Sequence, residues 1–194
     1  PEHIVHNTID STVPPEYLQS LTNEQILDLK FLDPACGSGV FLVSTYDHLA
    51  TQIESNIEER KDILPHQYLY EKDGKKYLNL KGRKLIVNQC LYGVDINQEC
   101  VEVAKLSLSL KIIDGFDPSD FNNAGLYGSQ ILHGVGVNIK CGNSLVEPNI
   151  LERVSCIAEN LEELAATNVF DYRTAFCDVF SRGGFDYVIG NPPY

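Results

Sequence analysis

The chain has 194 residues, 43% of them hydrophobic and 22% charged, with a formal net charge of −12 at pH 7. That is ordinary for one globular domain with a sizeable core, and no apolar run approaches the ~20 residues a helix needs to span a bilayer. Because phosphate neutralisation supplies most duplex affinity, so acidic a piece is a poor nucleic-acid clamp by itself; any basic DNA-gripping surface is expected mainly outside it.

The first residue is Pro1 and methionine is absent, which reads as a piece of a longer protein, cut at the front and at the back. The six cysteines (Cys36, Cys90, Cys100, Cys141, Cys156 and Cys177) form no CxxC pair and have no histidine at ligand spacing. They read as small buried thiols in a reducing cytoplasm rather than as zinc ligands or a disulfide framework.

In chain order, Pro1, Glu2 and His3 open onto Ile4, Val5 and Ile9, a helix first turn with Pro and an acidic residue where the amino end favours them. Thr22 and Gln25 have capping-box spacing ahead of Ile26, Leu27 and Leu29. Lys30 to Asp33 reads as a short buried strand ending at a glycine loop. A helix is predicted from Val40, with Leu42, Tyr46, Leu49, Ile53 and Ile57 on one face and a stop near Pro65. Tyr68 to Leu80 centres on Asp73-Gly74, the signal of a hairpin with a type I′ turn. We read it as part of an insertion over roughly 62–84, with a plain surface turn at its tip rather than a DNA contact.

Leu91 to Asp95 is predicted as a second strand, followed by a helix from Glu99 to Ile112 with Val101, Ala104, Leu108 and Ile112 inward. Val137 to Cys141 is predicted as a third strand, Leu151 to Leu164 as another helix, and Phe185 to Ile189 as a fourth strand. Strands alternating with helices predict an α/β fold with a doubly wound, mostly parallel sheet. Ligands in such sheets sit at the carboxyl ends of the strands. Asp33 to Gly39, Asp95, Asn143 and Asn191 to Tyr194 all fall at such ends.

Gly37 and Gly39 allow a tight turn and close approach to a ligand. The loop is not a Walker loop, since no Gly-Lys-Ser/Thr comes after it, and it is a poor dinucleotide fingerprint because Leu42 replaces the third glycine. Asp95 suits two ribose hydroxyls, or a helix N-cap for the segment starting at Asn97; the glycine loop one strand over favours the ribose. Asn143 suits an adenine edge, or the capping of a turn after Gly142.

Asp33-Pro34-Ala35-Cys36-Gly37-Ser38-Gly39-Val40, Gly93-Val94-Asp95-Ile96-Asn97, Gly142-Asn143-Ser144-Leu145 and Asn191-Pro192-Pro193-Tyr194 resemble motifs I to IV of gamma-type DNA N6-adenine methyltransferases. Pro1 to Val5 resembles the tail of the motif preceding motif I. The insertion resembles the methylase portion of type IIG restriction-modification enzymes, with type I modification subunits close behind. The resemblance implies a class I, Rossmann-like methyltransferase domain, incomplete at its carboxyl-terminal side, without its target-recognition and any nuclease domain. As cut, the piece is expected to be inactive.

It further implies S-adenosylmethionine as cofactor, with no metal for the transfer and Mg2+ only if a nuclease lies elsewhere. Asp33, Ala35 and the Cys36 to Gly39 backbone would cradle its methionine part, Asp95 its ribose, and Ile96 its adenine face. Asn143, with Ser144 beside it, stands where the family often has an Asp on the adenine amine. Double-stranded DNA would be bound through the full-length protein, in a bacterial or archaeal cytoplasm. Asn191 and Pro192 would accept the two protons of a flipped adenine amine, and Tyr194 would stack on the base. The absent Pro-Cys dipeptide argues against cytosine C5 chemistry, which needs a thiolate. The same corner would hold a glutamine amide or an RNA base, and a scaffold that only binds the cofactor is the non-enzymatic alternative.

Overall fold

The computed structural model describes residues 2–60, 64–115, 133–146 and 168–191. Three short helices come first: α1 (Glu2–Thr12), α2 (Pro15–Ser20) and α3 (Asn23–Asp28). Thr22 caps α3 with both arms of the capping box, its hydroxyl accepting from Gln25 N and the Gln25 side chain accepting from Thr22 N. β1 (Phe31–Asp33) leads through the glycine loop into α4 (Val40–Glu59), whose five predicted inward residues are all buried. The helix stops at Glu59, six residues short of Pro65. The hairpin β2 (Leu69–Lys72) and β3 (Lys75–Leu78) comes after it, with positive φ at both Asp73 (54°) and Gly74 (75°), as the type I′ turn requires.

α5 (Leu80–Cys90), β4 (Leu91–Asp95), α6 (Gln98–Ile113) and β5 (Ile139–Cys141) come next, then α7 (Tyr172–Ala175), α8 (Cys177–Ser181) and β6 (Tyr187–Val188). Four helices have no counterpart among the sequence expectations: α2, α5, α7 and α8. β5 is shorter than predicted because Ile139 N donates back to Gly136 O, so the chain turns before it pairs. β6 is a two-residue core of the predicted strand, extended by backbone bonds from Asp186 N and Tyr187 N to Lys30 O and from Ile189 N to Leu32 O. The helix predicted over 151–164 lies outside the described residues.

The main sheet has the order β5-β4-β1-β6 and is parallel throughout. Phe31, Leu32 and Asp33 pair with Leu91, Tyr92 and Gly93, and Asp95 pairs with Cys141. Alternation along the strands then separates two cores. Phe31, Leu91 and Ile139 face α1 and α3–α6, where Leu42, Leu49, Ile53, Val101 and Leu108 are buried. Leu32, Tyr92 and Val94 face Phe170, Phe176 and Val179 on the opposite side. There, Tyr92 meets Phe176 edge-on with ring centroids 5.3 Å apart, and Phe176 meets Phe185 likewise at 5.6 Å. Such pairs contribute about 0.5–1.5 kcal/mol each beyond their burial.

The chain runs from β1 outward through β4 to β5, and later returns to β6 on the other flank of β1. This reversal is the topological switch of a doubly wound, Rossmann-like α/β fold, the place where such sheets form a ligand crevice at the carboxyl ends of their strands. Gly142, just past β5, holds one rim of that crevice, because a Cβ there would stand 2.5 Å from Phe170 Cδ2. Gly142→Ala is therefore expected to overpack this contact and cost about 1–3 kcal/mol. A thermal scan with an unchanged midpoint would contradict that.

Candidate active site

The glycine loop is fixed by its own backbone. Cys36 N donates to Val94 O at 2.9 Å, Gly39 N to Cys36 O at 2.8 Å, and Gly37 N to the Asp95 carboxylate Oδ2 at 2.8 Å. Gly37 and Gly39 both have positive φ (52° and 86°). A Cβ on Gly39 would also crowd the Ala104 backbone at 3.1 Å, so the loop's turn and its packing on α6 both call for glycine.

Asp95 sits half-buried at the end of β4. Besides the bond from Gly37, its Oδ1 accepts from Asn97 N at 2.9 Å. The N-cap of α6 is Asn97 itself, whose side chain accepts from Glu99 N and Cys100 N. Asp95 is thus not the helix cap. It ties the glycine loop to the β4–α6 turn, and a carboxylate with about four lone-pair sites retains capacity for further donors.

Asp33, at the end of β1, is 2% exposed, and its Oδ1 accepts from Ala35 N at 3.1 Å. Burial pushes this carboxyl up to about 6; the bond from Ala35 opposes the shift and the nearby charge of Asp95 adds to it. Gly190, the last residue before Asn191, lies directly against Asp33, and a Cβ there would stand 2.5 Å from Asp33 Oδ1. The end of β6, and with it the exposed Asn191, is therefore delivered beside Asp33. Pro192 and Tyr194 lie outside the described residues.

Cys36 is buried, and burial first, then Asp33 and Asp95, pushes its thiol up to about 12. A thiol held so firmly protonated is no nucleophile. Ile96 is exposed (60%), and its carbonyl accepts from the Cys141 thiol at 3.4 Å, which ties the β4 exit to the end of β5. Asn143 adopts the turn-capping geometry, its side-chain oxygen accepting from Leu145 N at 3.1 Å. Its backbone N donates to Asn168 O at 2.6 Å and it bridges in parallel to Val169. This brings in a residue that sequence reasoning missed: Tyr172, half-buried at the start of α7, whose ring meets Phe170 edge-on at 4.9 Å. The signal available for it was the run of aromatic residues from Phe170 to Phe185.

A cavity of about 970 Å³ lies beside this cluster, lined among others by His6, Ser38, Val43, Asp47, Leu110 and Lys111. It shares only Ser38 with the glycine loop and contains none of Asp33, Asp95, Asn143 or Asn191. The strand ends therefore define the site, and the cavity is its neighbour between α1, α4 and α6. Among the described residues no group of three or more His, Cys, Asp or Glu side chains is placed to hold a metal ion, and no helix is long and apolar enough to cross a membrane.

A glycine loop, two strand-end carboxylates and Asn191 thus meet at one switch point. Residues 89–194 match the model of the Eco57I restriction-modification methylase family. The chain belongs to that family. It is 27% identical over its whole length to the type II restriction enzyme and methyltransferase RM.Eco57I of Escherichia coli. It is 33% identical over 79% of its length to the putative type II restriction enzyme and methyltransferase RM.MjaORFECS2P of Methanocaldococcus jannaschii, and 30% identical over 86% to DNA methyltransferase A of Bacillus subtilis. The chain spans only 17%, 11% and 15% of these three relatives, respectively.

Asp33 yields a test with a definite sign. Its carboxyl ionises at about 6 in the folded chain against 3.8 as the ordinary value, so the ionised form destabilises the fold. The penalty is absent below the ordinary value and fully felt above about 6. Asp33→Asn, in the absence of ligand, is expected to stabilise the protein at pH 7.5 by about 1–3 kcal/mol, with the gain shrinking toward pH 4. Thermal scans across that range check it; a variant less stable than the wild type at pH 7.5 would count against the assignment.

Proposed function

We propose that this chain is the cofactor-binding and catalytic part of a site-specific DNA adenine-N6 methyltransferase of a restriction-modification system, of the type IIG kind. The observation that carries the reading is the meeting of Asp33, Asp95, the glycine loop and Asn191 at the switch point of the sheet, in a member of a restriction-modification methylase family. S-adenosylmethionine fits these residues. The loop turns at two positive-φ glycines without side chains in the way, Asp95 keeps acceptor capacity for a pair of hydroxyls, and Asp33 adds buried negative charge for a cationic ligand.

When bound, that cofactor supplies an electrophilic methyl group on a positively charged sulfur. Asp95 holds the ribose hydroxyls, Ile96 lies against the adenine face, and Asn143 and Ser144 line the adenine edge. Ala35 and the Cys36, Gly37 and Gly39 backbone, with Asp33, surround the methionine part. At the corner after β6, the Asn191 side-chain oxygen and the Pro192 carbonyl accept the two hydrogens of the target amine. This turns the nitrogen toward tetrahedral geometry and frees its lone pair, which the ring otherwise delocalises. Positioned dipoles thus do the catalytic work, without a covalent enzyme intermediate. Tyr194 stacks on the flipped base.

Double-stranded DNA is gripped by parts of the full-length protein beyond this chain. A net charge of −12 on 194 residues and the small share of the relatives' length both support that division. The cytoplasm, where the chromosome is modified, is the corresponding location.

Asp95→Ala in the full-length protein is expected to weaken S-adenosylmethionine binding at least about tenfold by calorimetry, since bonds to charged groups carry ~1.5–3 kcal/mol. Affinity within twofold of the wild type would remove Asp95 from the site. Asn191→Ala is expected to lower methyl transfer to duplex adenine by about 10²–10³-fold, the scale of losing one preorganised polar contact. Cofactor affinity should stay within a few fold. Near-normal turnover of labelled methyl groups would sink the mechanism.

A further inference from the structure

Where the chain leaves β4 and β5, the two strand ends are laced together. Asp95 pairs with Cys141, Gly142 N donates to Asp95 O at 2.8 Å, and the Cys141 thiol donates to Ile96 O at 3.4 Å. A third segment, which carries none of the four sequence motifs, is fastened onto this junction. Val169 bridges in parallel to Asn143, Asn143 N donates to Asn168 O at 2.6 Å, and the buried Phe170 fills the space over Gly142.

Asn168 stands in this segment with a left-handed backbone (φ 46°). Apart from Asp73 in the hairpin turn, it is the only non-glycine residue with positive φ among the described ones. Asparagine is one of the few residues that adopt this conformation at small cost. Its exposed side chain reaches the end of β5, where Nδ2 donates to Cys141 Sγ at 3.5 Å. The amide therefore lies beside the thiol that bonds Ile96 O, at the exit of both strands.

Asn143, by contrast, uses its side-chain oxygen to cap its own turn, on Leu145 N. The Asn168 amide has a second N–H and an oxygen with two lone pairs besides the bond to sulfur. The amine of adenine and the ring nitrogen next to it ask for an acceptor and a donor side by side, which one asparagine amide supplies in two bonds.

We infer that Asn168 binds the amine-bearing edge of the cofactor's adenine, Oδ1 accepting from the amine and Nδ2 donating to the neighbouring ring nitrogen. The inference rests on the methyltransferase reading above, in which Ile96 lies against the face of that ring. It gives a binding role to a residue outside the recognised motifs.

The experiment is calorimetry on the full-length protein with S-adenosylhomocysteine and with its counterpart carrying unsubstituted purine, which lacks only the amine. The wild type should prefer the adenine ligand. Asn168→Gly removes the amide while suiting the left-handed backbone, so the fold should be kept. This variant should narrow the preference about 2- to 12-fold, the span of one net hydrogen bond. Asn168→Asp keeps the acceptor and loses the donor, so it should bind both ligands more weakly yet retain the preference. A wild type that binds both ligands alike, or a preference unchanged in Asn168→Gly, overturns the inference even if absolute affinities fall. So does a preference lost equally in both variants, which a purely structural role would produce. A wild-type protein that binds neither ligand overturns the methyltransferase reading, and the inference with it.

Discussion

Everything at the candidate site hangs on the pairing of β1. It is three residues long, fully buried, and flanked in parallel by β4 on one side and β6 on the other. Neighbours on both sides occupy its backbone, so only the space beyond its carboxyl end is left for a ligand. Because the chain leaves β1 toward β4 and β5 and comes back on the far side at β6, the segments leaving these strands diverge there. Asp33, the glycine loop and Asn191 are consequences of that divergence: one lies at the fork and the others on its two arms.

The fork is crowded with features that weaken a fold. Asp33 is a buried carboxylate, Gly37 and Gly39 hold positive φ, and Gly190 has no room for a side chain beside Asp33. The structure offsets these with apolar packing away from the site. The fully buried Leu49, Ile53, Leu91, Leu108 and Ile139 support one face, and the cluster around Tyr92 and Phe176 supports the other. Rigidity supplied from both faces is what allows a charged, glycine-rich crevice to keep one geometry.

The strands that carry the site are legible in the sequence because their punctuation is chemical. Asp33 and Asp95 end apolar runs, and the glycines after Asp33 admit few other readings. Periodicity gives α4 and α6, and Asp73-Gly74 gives the hairpin. α5 is not legible because Gly82 and three basic residues make its first turns look like loop. Its true signal is Asn79, which accepts from Lys81 N and Gly82 N, and Gly82 is there because a Cβ would stand 2.5 Å from Tyr68 O. Tyr172 escapes notice for a different reason. Its place beside the end of β5 comes from the pairing of Asn143 with Asn168 and Val169, which no local pattern encodes. For Asp95 the sequence offers two uses, holding a ligand or capping a helix, and the structure shows a third, the clamp on Gly37.

The hairpin between α4 and α5 forms a two-stranded sheet of its own, and its paired ends, Leu69 and Leu78, bring the chain back to where it left. Asn79 closes the base by donating to Gln67 O and Leu69 O, and Leu78 is completely buried beneath it. Residues added or removed in register at the Asp73-Gly74 tip would lengthen or shorten an arm without shifting either helix. The fold thus contains a site where chain length can drift between relatives while the sheet, and the crevice at its far end, remain in register.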